Sequence, residues 1–240
     1  MFGLSPLFFP IRLATQETPD TTAHIGYARY FTSPPFELVG PTTVSAFNGT
    51  TAAAAVTQDS TVRAESAHYF DAGVSHRLLP GLTVGLDAYY KLAHNLIDEG
   101  QFGAPIILSA FNYNQGKIYG FELTASYDQG PWSLYGNLAW SYAKGKNIVS
   151  SQFNFSPDEL AYISQNWIFL DHDQRWTGSA GAAYTLNKGT DFPTRLSADM
   201  IVGSGLRTST DTVPNSPATG WSTCRRFSDF RGALSCGSMC

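Results

Sequence analysis

The feature that most restricts how this chain can fold is a pair of alternating segments with large rings only at their ends. Residues 117–143 read KIYGFELTASYDQGPWSLYGNLAWSYA, and the four residues DQGP interrupt the alternation. An apolar period of two predicts β-strands, and Gly and Pro between two such runs predict a turn. We therefore expect an antiparallel hairpin whose two faces differ in character.

The same period of two recurs along most of the chain. It predicts strands at residues 24–31, 67–78, 82–92, 117–128, 132–144, 174–187 and 192–206. Most of these hold about 10 residues or more, which is long for a globular protein and enough to cross a bilayer at a tilt. The pattern predicts an all-β chain with little helix.

The predicted connections fall into two classes that alternate along the chain. Tight turns lie at 79–81, 128–131 and 187–193, whereas long loops lie at 32–66, 93–116 and 145–173. In an up-and-down antiparallel sheet, alternate connections lie at opposite ends. This asymmetry is typical of bacterial outer-membrane barrels, which have short periplasmic turns and long extracellular loops.

One face of each long strand has rings near its ends and aliphatic or small residues between them. In the opening hairpin this face carries Tyr119, Phe121, Leu123, Ala125 and Tyr127, then Trp132, Leu134, Gly136, Leu138, Trp140 and Tyr142. The segment 174–187 repeats it with Trp176, Gly178, Ala180, Ala182 and Tyr184. About eight residues at 3.3 Å, tilted near 40°, rise roughly 20 Å, close to the height of a barrel's hydrocarbon band.

Rings at both ends of such a band predict two aromatic girdles at the membrane interfaces. The predicted girdle residues are Tyr90, Tyr119, Tyr127, Trp132, Trp140, Tyr142, Trp176 and Tyr184. The opposite faces suit a watery lumen, and they are assigned Lys117, Gly120, Glu122, Thr124 and Ser126, with Ser133, Tyr135, Asn137, Ala139 and Ser141. The alternative is a soluble β-sandwich, in which the rings would fill a core.

Composition favours the membrane interpretation. Charged residues make up 14% of the chain and aromatic residues another 14%, whereas an ordinary soluble domain has roughly 25% charged residues. The formal net charge is −4 and the 15 Lys and Arg are scattered, which excludes a basic patch for nucleic acid. No run of about 18 apolar residues occurs, so a transmembrane helix is excluded by length and a barrel remains compatible.

Several phrases resemble one protein family. HIGYARYFTSPPFELV at 24–39, the segment 83–127 with NLIDEGQFG and YGFEL, and the segment 158–186 with LDHDQRWT resemble the C-terminal barrel half of TonB-dependent outer-membrane receptors. The resemblance spans about residues 20–210. It implies part of a plugged barrel of about 22 strands that takes up a scarce nutrient with energy delivered by the TonB system through an N-terminal plug.

The resemblance divides the chain into three parts. Residues 1–20 are expected to be a non-native or loop-like start, 21–210 a barrel segment, and 211–240 an irregular tail that is out of frame. The family's signal peptide, TonB box and plug have no counterpart in these residues. The tail lacks alternation and holds Cys224, Cys236 and Cys240, whose spacing fits neither a zinc site nor an even disulfide framework.

The sequence predicts no catalytic residue, metal or cofactor. Asp171, His172 and Asp173 lie side by side in LDHDQ, but neighbours in an extended chain point to opposite sides, so at most Asp171 and Asp173 converge. The five histidines, His24, His68, His76, His94 and His172, are dispersed and accompany no G-x-S-x-G nucleophile signature.

Polar residues of the long loops are the candidate contacts for an extracellular small-molecule ligand. They are Asp98, Glu99, Gln101, Asn112, Tyr113, Asn114, Asp171 and Asp173. The alternative for this set is packing at the barrel rim. The leading hypothesis for the chain is a segment of a receptor barrel in the bacterial outer membrane, in contact with its lipid. The alternatives are a small passive pore of eight strands and a soluble β-sandwich binding module.

Overall fold

The computed structural model describes residues 10–34, 45–51, 53–56, 60–102, 107–190 and 192–205. Within them the strands are β1 Ile11–Thr18, β2 Thr21–Thr32, β3 Glu65–Leu79, β4 Leu82–Phe102, β5 Ile107–Gln129, β6 Trp132–Ile148, β7 Ile168–Phe169, β8 Trp176–Leu186 and β9 Thr194–Gly203. A 3₁₀ turn, Gln152–Asn154, and helix α1, Pro157–Gln165, lie between β6 and β7. Within the described residues, no helix combines the length and the apolar content that crossing a membrane requires.

The strands form one antiparallel sheet in chain order. Its order is β1-β2-β3-β4-β5-β6-β8-β9, and the two-residue strand β7 pairs beside β6. Every pairing is antiparallel. This confirms the all-β, up-and-down prediction, and a single sheet replaces the two packed sheets that the sandwich alternative required.

All seven predicted strands are present, but several predicted boundaries are wrong. The loop-like start expected for residues 1–20 contains β1, which pairs with β2 from Ile11↔Tyr27 to Thr18↔Thr21. The loop expected at 93–116 is largely a continuation of β4 and β5, which stay paired from Leu82↔Tyr127 to Phe102↔Ile107. The segment 145–173, expected as loop, contains the end of β6, the 3₁₀ turn, α1 and β7.

The extension of β5 also bears on the small-pore alternative. That hypothesis needed residues 105–113 or the tail to supply one more strand. Residues 107–113 are instead part of β5, and β1 and β9 lie at the two ends of the strand order without pairing to each other in the described residues. The tail from residue 206 onward, with its cysteines, lies outside the described residues.

Alternation gives the sheet two unlike faces. We call the face of Tyr119, Phe121 and Leu123 the aromatic face, and the face of Gly120, Glu122 and Thr124 the polar face. Register agrees with the sequence-based assignment except at Lys117, which pairs with Leu92 and Lys144 and therefore lies on the aromatic face. The reason is parity, because residues 117 and 119 are two apart on one strand and point the same way.

The aromatic face is bare over most of its height. Leu86, Leu123 and Leu138 retain 47%, 49% and 40% of their surface exposed. Rows of large apolar side chains that keep this much exposed surface are unfavourable in water and mark a surface that meets another apolar phase.

Candidate functional site

A row of rings crosses the aromatic face near the long-loop end of the sheet. Tyr27 pairs with Phe70, Phe70 with Tyr90, Tyr90 with Tyr119 and Tyr119 with Tyr142, so one register row carries a ring on each strand from β2 to β6. Tyr119 stacks on Tyr142 with centroids 5.3 Å apart. We call these five residues the ring row.

Further aromatic side chains on β5, β6 and β8 lie next to the ring row. Phe121 stacks on Trp140 at 5.3 Å and meets Trp176 edge-on at 6.2 Å. At the tight-turn end, Trp132 contacts Tyr184 at 4.7 Å. Tyr127 lies on the same face one row away, opposite Leu134. The predicted girdle residues thus form two groups at the two ends of the aromatic face, and their membrane role is a proposal developed below.

The polar face carries cross-strand hydrogen bonds and ion pairs. His24 Nε2 lies 3.3 Å from Asp71 Oδ2 and 3.4 Å from Asp87 Oδ1. Asn137 accepts hydrogen bonds from the backbone and side chain of Ser179 at 2.7 and 2.8 Å. Such exposed polar contacts are typical of a wet interior wall.

The strands change character beyond the ring row, at the long-loop end. Asn95 on β4 and Asn147 on β6 have positive φ values of 53° and 62°, a conformation that Asn tolerates better than most residues. Leu96 then lies over Gly116, where an added Cβ would be 2.5 Å from Leu96 Cδ2. Gly116 belongs to the polar face through its pairing with Ala93. The two left-handed residues therefore accompany a switch of large apolar side chains to the polar side.

This switch builds a small hydrophobic core, which we call the cap. Its buried residues are Ala67, Ala93, Leu96, Phe111, Tyr113, Ile148, Ile163 and Ile168, with Ile118, Phe155, Leu160 and Leu170 packed around them. Helix α1 contributes Ile163, and Ser156 begins this helix with a capping box to Glu159. Through the cap, the 149–170 connection packs against the extended β4–β5 hairpin.

A fully buried asparagine on β5 is hydrogen-bonded to three other parts of the chain, at Arg63, Asn95 and Ser150. Asn112 is 0% exposed. Its Oδ1 accepts from the Arg63 N–H at 2.7 Å, and its Nδ2 donates to the carbonyls of Arg63 at 3.0 Å and Asn95 at 2.8 Å. Ser150 Oγ donates to the same Oδ1 at 2.8 Å. The structure therefore makes Asn112 a structural hub where ligand contact was predicted.

Asp173 is a second predicted contact residue that is buried. The residue is 3% exposed. Asp173 Oδ1 accepts a hydrogen bond from the Ala143 N–H at 2.8 Å, and Asp173 Oδ2 forms an ion pair with Arg175 Nη2 at 3.3 Å. Tyr113, 4% exposed, is packed in the cap. These three side chains are buried and packed or hydrogen-bonded within the protein, and their contact with a ligand stays a prediction.

Four of the remaining candidates keep exposed surface at the long-loop end of the sheet. Glu99 and Asp171 are exposed, and Asp98 and Asn114 are half-buried. Gln101 lies on β4, and its side chain is outside the described part of the chain. Asp171 and His172 lie near enough to Asp98 to influence its pKa electrostatically.

Asp98 is the most perturbed of these groups. Burial raises the pKa of Asp98 from 3.8 to about 6, opposed by the hydrogen bond from the Glu99 N–H and with a further increase from Asp171. Burial also raises the pKa of Tyr113. Within the described residues, no group of three or more His, Cys, Asp and Glu side chains is placed to hold a metal ion.

Sequence reasoning missed one buried carboxylate at this end. Glu65, at the start of β3, is 5% exposed, lies 2.6 Å from Lys91 Nζ, and accepts from the Ile97 N–H at 3.1 Å. The sequence-based prediction placed Glu65 in a loop, where a carboxylate is expected to be exposed. Its partners Lys91 and Ile97 are far away in the sequence, so no local pattern predicts that Glu65 is buried.

A family model described as "TonB dependent receptor-like, beta-barrel" matches residues 14–223. Among curated protein sequences, the comparison gives no match.

Solved structures show the same fold at low identity. The FrpB iron transporter from Neisseria meningitidis, F3-3 variant, aligns with a TM-score of 0.54 and 12% identity over 88% of this chain and 30% of that one. The copper transporter OprC aligns with a TM-score of 0.52 and 18% identity over 82% and 26%. This chain therefore spans less than a third of the length of these transporters.

The family match covers most of the chain and coincides with the sheet, whose unlike faces and alternating connections suit a barrel wall. The chain belongs to the TonB-dependent receptor-like β-barrel family.

Proposed function

We propose that the chain is part of an outer-membrane TonB-dependent receptor that takes up a scarce nutrient, without covalent chemistry. The family is one of receptors and transporters. The observation that carries the proposal is the bare aromatic face between two groups of rings, because it matches a wall that meets lipid outside and water inside.

The cap end is proposed to face the extracellular side. Short periplasmic turns and long outer connections are the rule in such barrels, and the tight turns at 79–81, 128–131 and 187–193 lie at the opposite end of the sheet from the cap. On this orientation Glu99, Asp171, Asp98 and Asn114 are the side chains available to an incoming ligand. The ligand classes considered are siderophores, cobalamin and oligosaccharides.

Energy coupling is proposed to reach the barrel only through a plug domain that the described sheet does not include. A sheet whose end strands β1 and β9 are unpaired with each other needs further strands before it can enclose a lumen in lipid. We expect the chain by itself to give no uptake.

Membrane embedding is tested by fluorescence quenching of the refolded chain in phosphatidylcholine vesicles with brominated acyl chains. Trp132, Trp140 and Trp176 lie on the aromatic face, so their emission is expected to be quenched. A Trp140→Phe variant should lose much of the quenched signal. A folded monomer that needs no detergent or lipid would contradict the proposal and favour the soluble alternative.

Ligand contact is tested in the bacterium that carries the gene, by replacing the chromosomal copy. The double variant Glu99→Gln/Asp171→Asn is compared with Asp128→Asn, which changes an exposed carboxylate at the tight-turn end. Uptake of a labelled ferric siderophore, cobalamin and an oligosaccharide is measured in each strain. Selective loss of one substrate in the double variant supports the contact assignment, and equal uptake of all three in every strain refutes it.

A further inference from the structure

A cavity of about 350 Å³ opens on the polar face, and we call it the tyrosine cavity. This volume lies within the usual range of small-molecule sites, about 300–1,000 Å³, which combine ring surfaces with a few converging polar groups. The side chains that line it and carry rings or polar groups include Arg12, His24, Tyr30, Tyr69, Asp71, Asp87, Tyr89 and Glu122.

Three tyrosines form the ring surface of the tyrosine cavity. The rings of Tyr69 on β3 and Tyr89 on β4 are almost parallel, with an interplanar angle of 14° and centroids 6.3 Å apart. Tyr30 on β2 meets Tyr69 edge-on at 5.8 Å and keeps 51% of its surface exposed. The face of an aromatic ring is electron-rich, so it attracts the polarised C–H groups on the flat side of a sugar ring.

Two glycines shape the wall beside these rings. Gly26 pairs with Asp71, and Gly73 pairs with Asp87. A Cβ atom at either glycine would collide with the carboxylate of its partner. Each carboxylate therefore lies across the neighbouring strand, and the space above the wall stays open to a ligand.

The two carboxylates are fixed by one histidine. His24 Nε2 lies 3.3 Å from Asp71 Oδ2 and 3.4 Å from Asp87 Oδ1. The side chains of Asp71 and Asp87 remain 28% and 45% exposed. An ionised carboxylate has about four acceptor sites, so both groups keep the capacity to accept hydrogen bonds from hydroxyl groups of a ligand.

The charges around the tyrosine cavity favour one class of ligand. Asp71, Asp87 and Glu122 supply three carboxylates, and Arg12 on β1 supplies a guanidinium. The excess of negative charge disfavours an anionic ferric complex. Several acceptors beside one strong donor suit hydroxyl groups, which both donate and accept hydrogen bonds. A neutral saccharide combines such hydroxyl groups with C–H faces that pack on rings.

We propose that the tyrosine cavity binds a neutral saccharide, with its C–H faces on Tyr30, Tyr69 and Tyr89 and its hydroxyl groups on Asp71 and Asp87. As the class of substrate taken up, the saccharide rests on the proposed function, because the polar face is then the wall of the lumen. Binding to the cavity itself does not depend on that function.

The test measures binding of maltotriose, cellotriose and xylotriose to the full chain, purified in detergent, by calorimetry and by saturation-transfer difference NMR. Spermidine and ferric citrate are the cationic and anionic probes. At least one trisaccharide should bind more tightly than either charged probe, and irradiation of tyrosine ring protons should saturate its C–H protons. Absence of binding by all the trisaccharides, or tighter binding of a charged probe, would overturn the proposal.

Two tyrosines test the stacking. Tyr69→Leu should weaken trisaccharide binding about tenfold, whereas Tyr69→Phe keeps the ring and should bind as the unsubstituted chain does. Tyr30→Leu alters an exposed ring, so it should weaken binding without lowering the thermal unfolding midpoint. The matched control is Tyr135→Leu, whose hydroxyl donates to Asp199 outside the cavity. Equal loss in the control, or no loss in the Tyr30 and Tyr69 variants, would refute the proposal.

Substitution of Asp87 tests the hydroxyl contacts. Asp87→Leu removes the acceptor and should weaken trisaccharide binding about tenfold. Asp87→Asn keeps an amide oxygen that accepts from a hydroxyl group, so its loss should be smaller. Unchanged trisaccharide binding in Asp87→Leu would overturn the proposal.

Uptake distinguishes this proposal from the proposed function. Deletion of the gene in its bacterium should reduce uptake of the labelled trisaccharide that the purified chain binds. If the chain binds none of the trisaccharides while deletion abolishes uptake of a siderophore or cobalamin, the saccharide proposal fails and the receptor function stands. If the chain binds a trisaccharide while deletion changes no uptake, the receptor function fails and the binding site stands.

Discussion

The middle of the sheet and the cap are stabilised in opposite ways. In the middle, Leu123 and Leu138 are exposed on one face and polar side chains line the other. In the cap, Leu96, Phe111 and Ile163 are buried against one another, and polar groups such as Asn112 are satisfied internally. The middle therefore depends on its surroundings for an apolar phase, whereas the cap contains its own core.

Removing the Asn112 side chain should have the largest effect on the cap. Asn112→Ala leaves the Arg63 N–H and two carbonyls without their partner, at a cost on the order of 4 kcal/mol, since each buried unpaired group costs about 1–3 kcal/mol. Hydrogen exchange of the Arg63 amide should accelerate strongly, while amides of β8 and β9 keep their protection. Asn114→Ala, two residues away and half-buried, is the control. Equal acceleration of Arg63 amide exchange in this variant would contradict the role of Asn112 as a structural hub.

A pair of matched leucines tests the contrast directly. Leu96 is 3% exposed and Leu123 is 49% exposed. Leu96→Ala should destabilise the cap by about 2–4 kcal/mol through a cavity, and Leu123→Ala should change the stability in detergent by less than about 1 kcal/mol. Denaturant unfolding of the detergent-refolded chain measures both. Similar losses of unfolding free energy in the two variants would contradict the proposed difference in packing between the cap and the middle of the sheet.

Asp98 makes the cap sensitive to pH. Its folded pKa of about 6 is above its ordinary value of 3.8 because burial disfavours the charged form. Between these values the folded state binds more protons than the unfolded state, so cap stability should fall as pH rises from about 4 to 6 and stay lower above that. Below about 4 both states are protonated and the full stability is present.

Asp98→Asn should remove this pH dependence and make the cap more protected at pH 7. The measurement is hydrogen exchange of cap amides at several pH values, corrected for intrinsic rates. Asp128→Asn, at the tight-turn end, should leave the cap profile as it is. A profile that persists in Asp98→Asn would show that Asp98 is not the source of the pH dependence.

The smallest effect is expected at the strand irregularity that begins the cap. Asn95 has φ of 53°, where an alanine costs about 1 kcal/mol and a glycine less. Asn95→Ala should therefore raise cap hydrogen exchange slightly more than Asn95→Gly. Equal hydrogen-exchange rates in the two variants would show that the left-handed conformation of residue 95 does not affect the stability of the cap.

The strands of the middle were predictable because their signal is local. Alternation places Tyr119, Phe121 and Leu123 on one face whatever the rest of the chain does, and all seven predicted strands are found. The same parity would have placed Lys117 on the aromatic face, where the structure has it. The boundaries at 93–116 and the start at residue 11 were missed, because the alternation there runs over only a few residues, such as Ile11–Leu13 and Phe111–Asn114.

The cap was not predictable, because its contacts join residues far apart in sequence. Asn112 meets Arg63, Asn95 and Ser150 at separations of 49, 17 and 38 positions. Asn112, Tyr113 and Asp173 looked like loop polar groups, and only burial shows that they hold the structure together.

The amino-acid sequence by itself determined the alternating strands and their two faces, because each depends on neighbours one or two residues apart. It also indicated the family, through longer phrases such as NLIDEGQFG and LDHDQRWT. The tertiary structure alone decided which polar residues stay exposed and that Arg29, Lys117 and Lys144 share one row. The reason is register, which pairs residues across strands through hydrogen bonds that no single strand can specify.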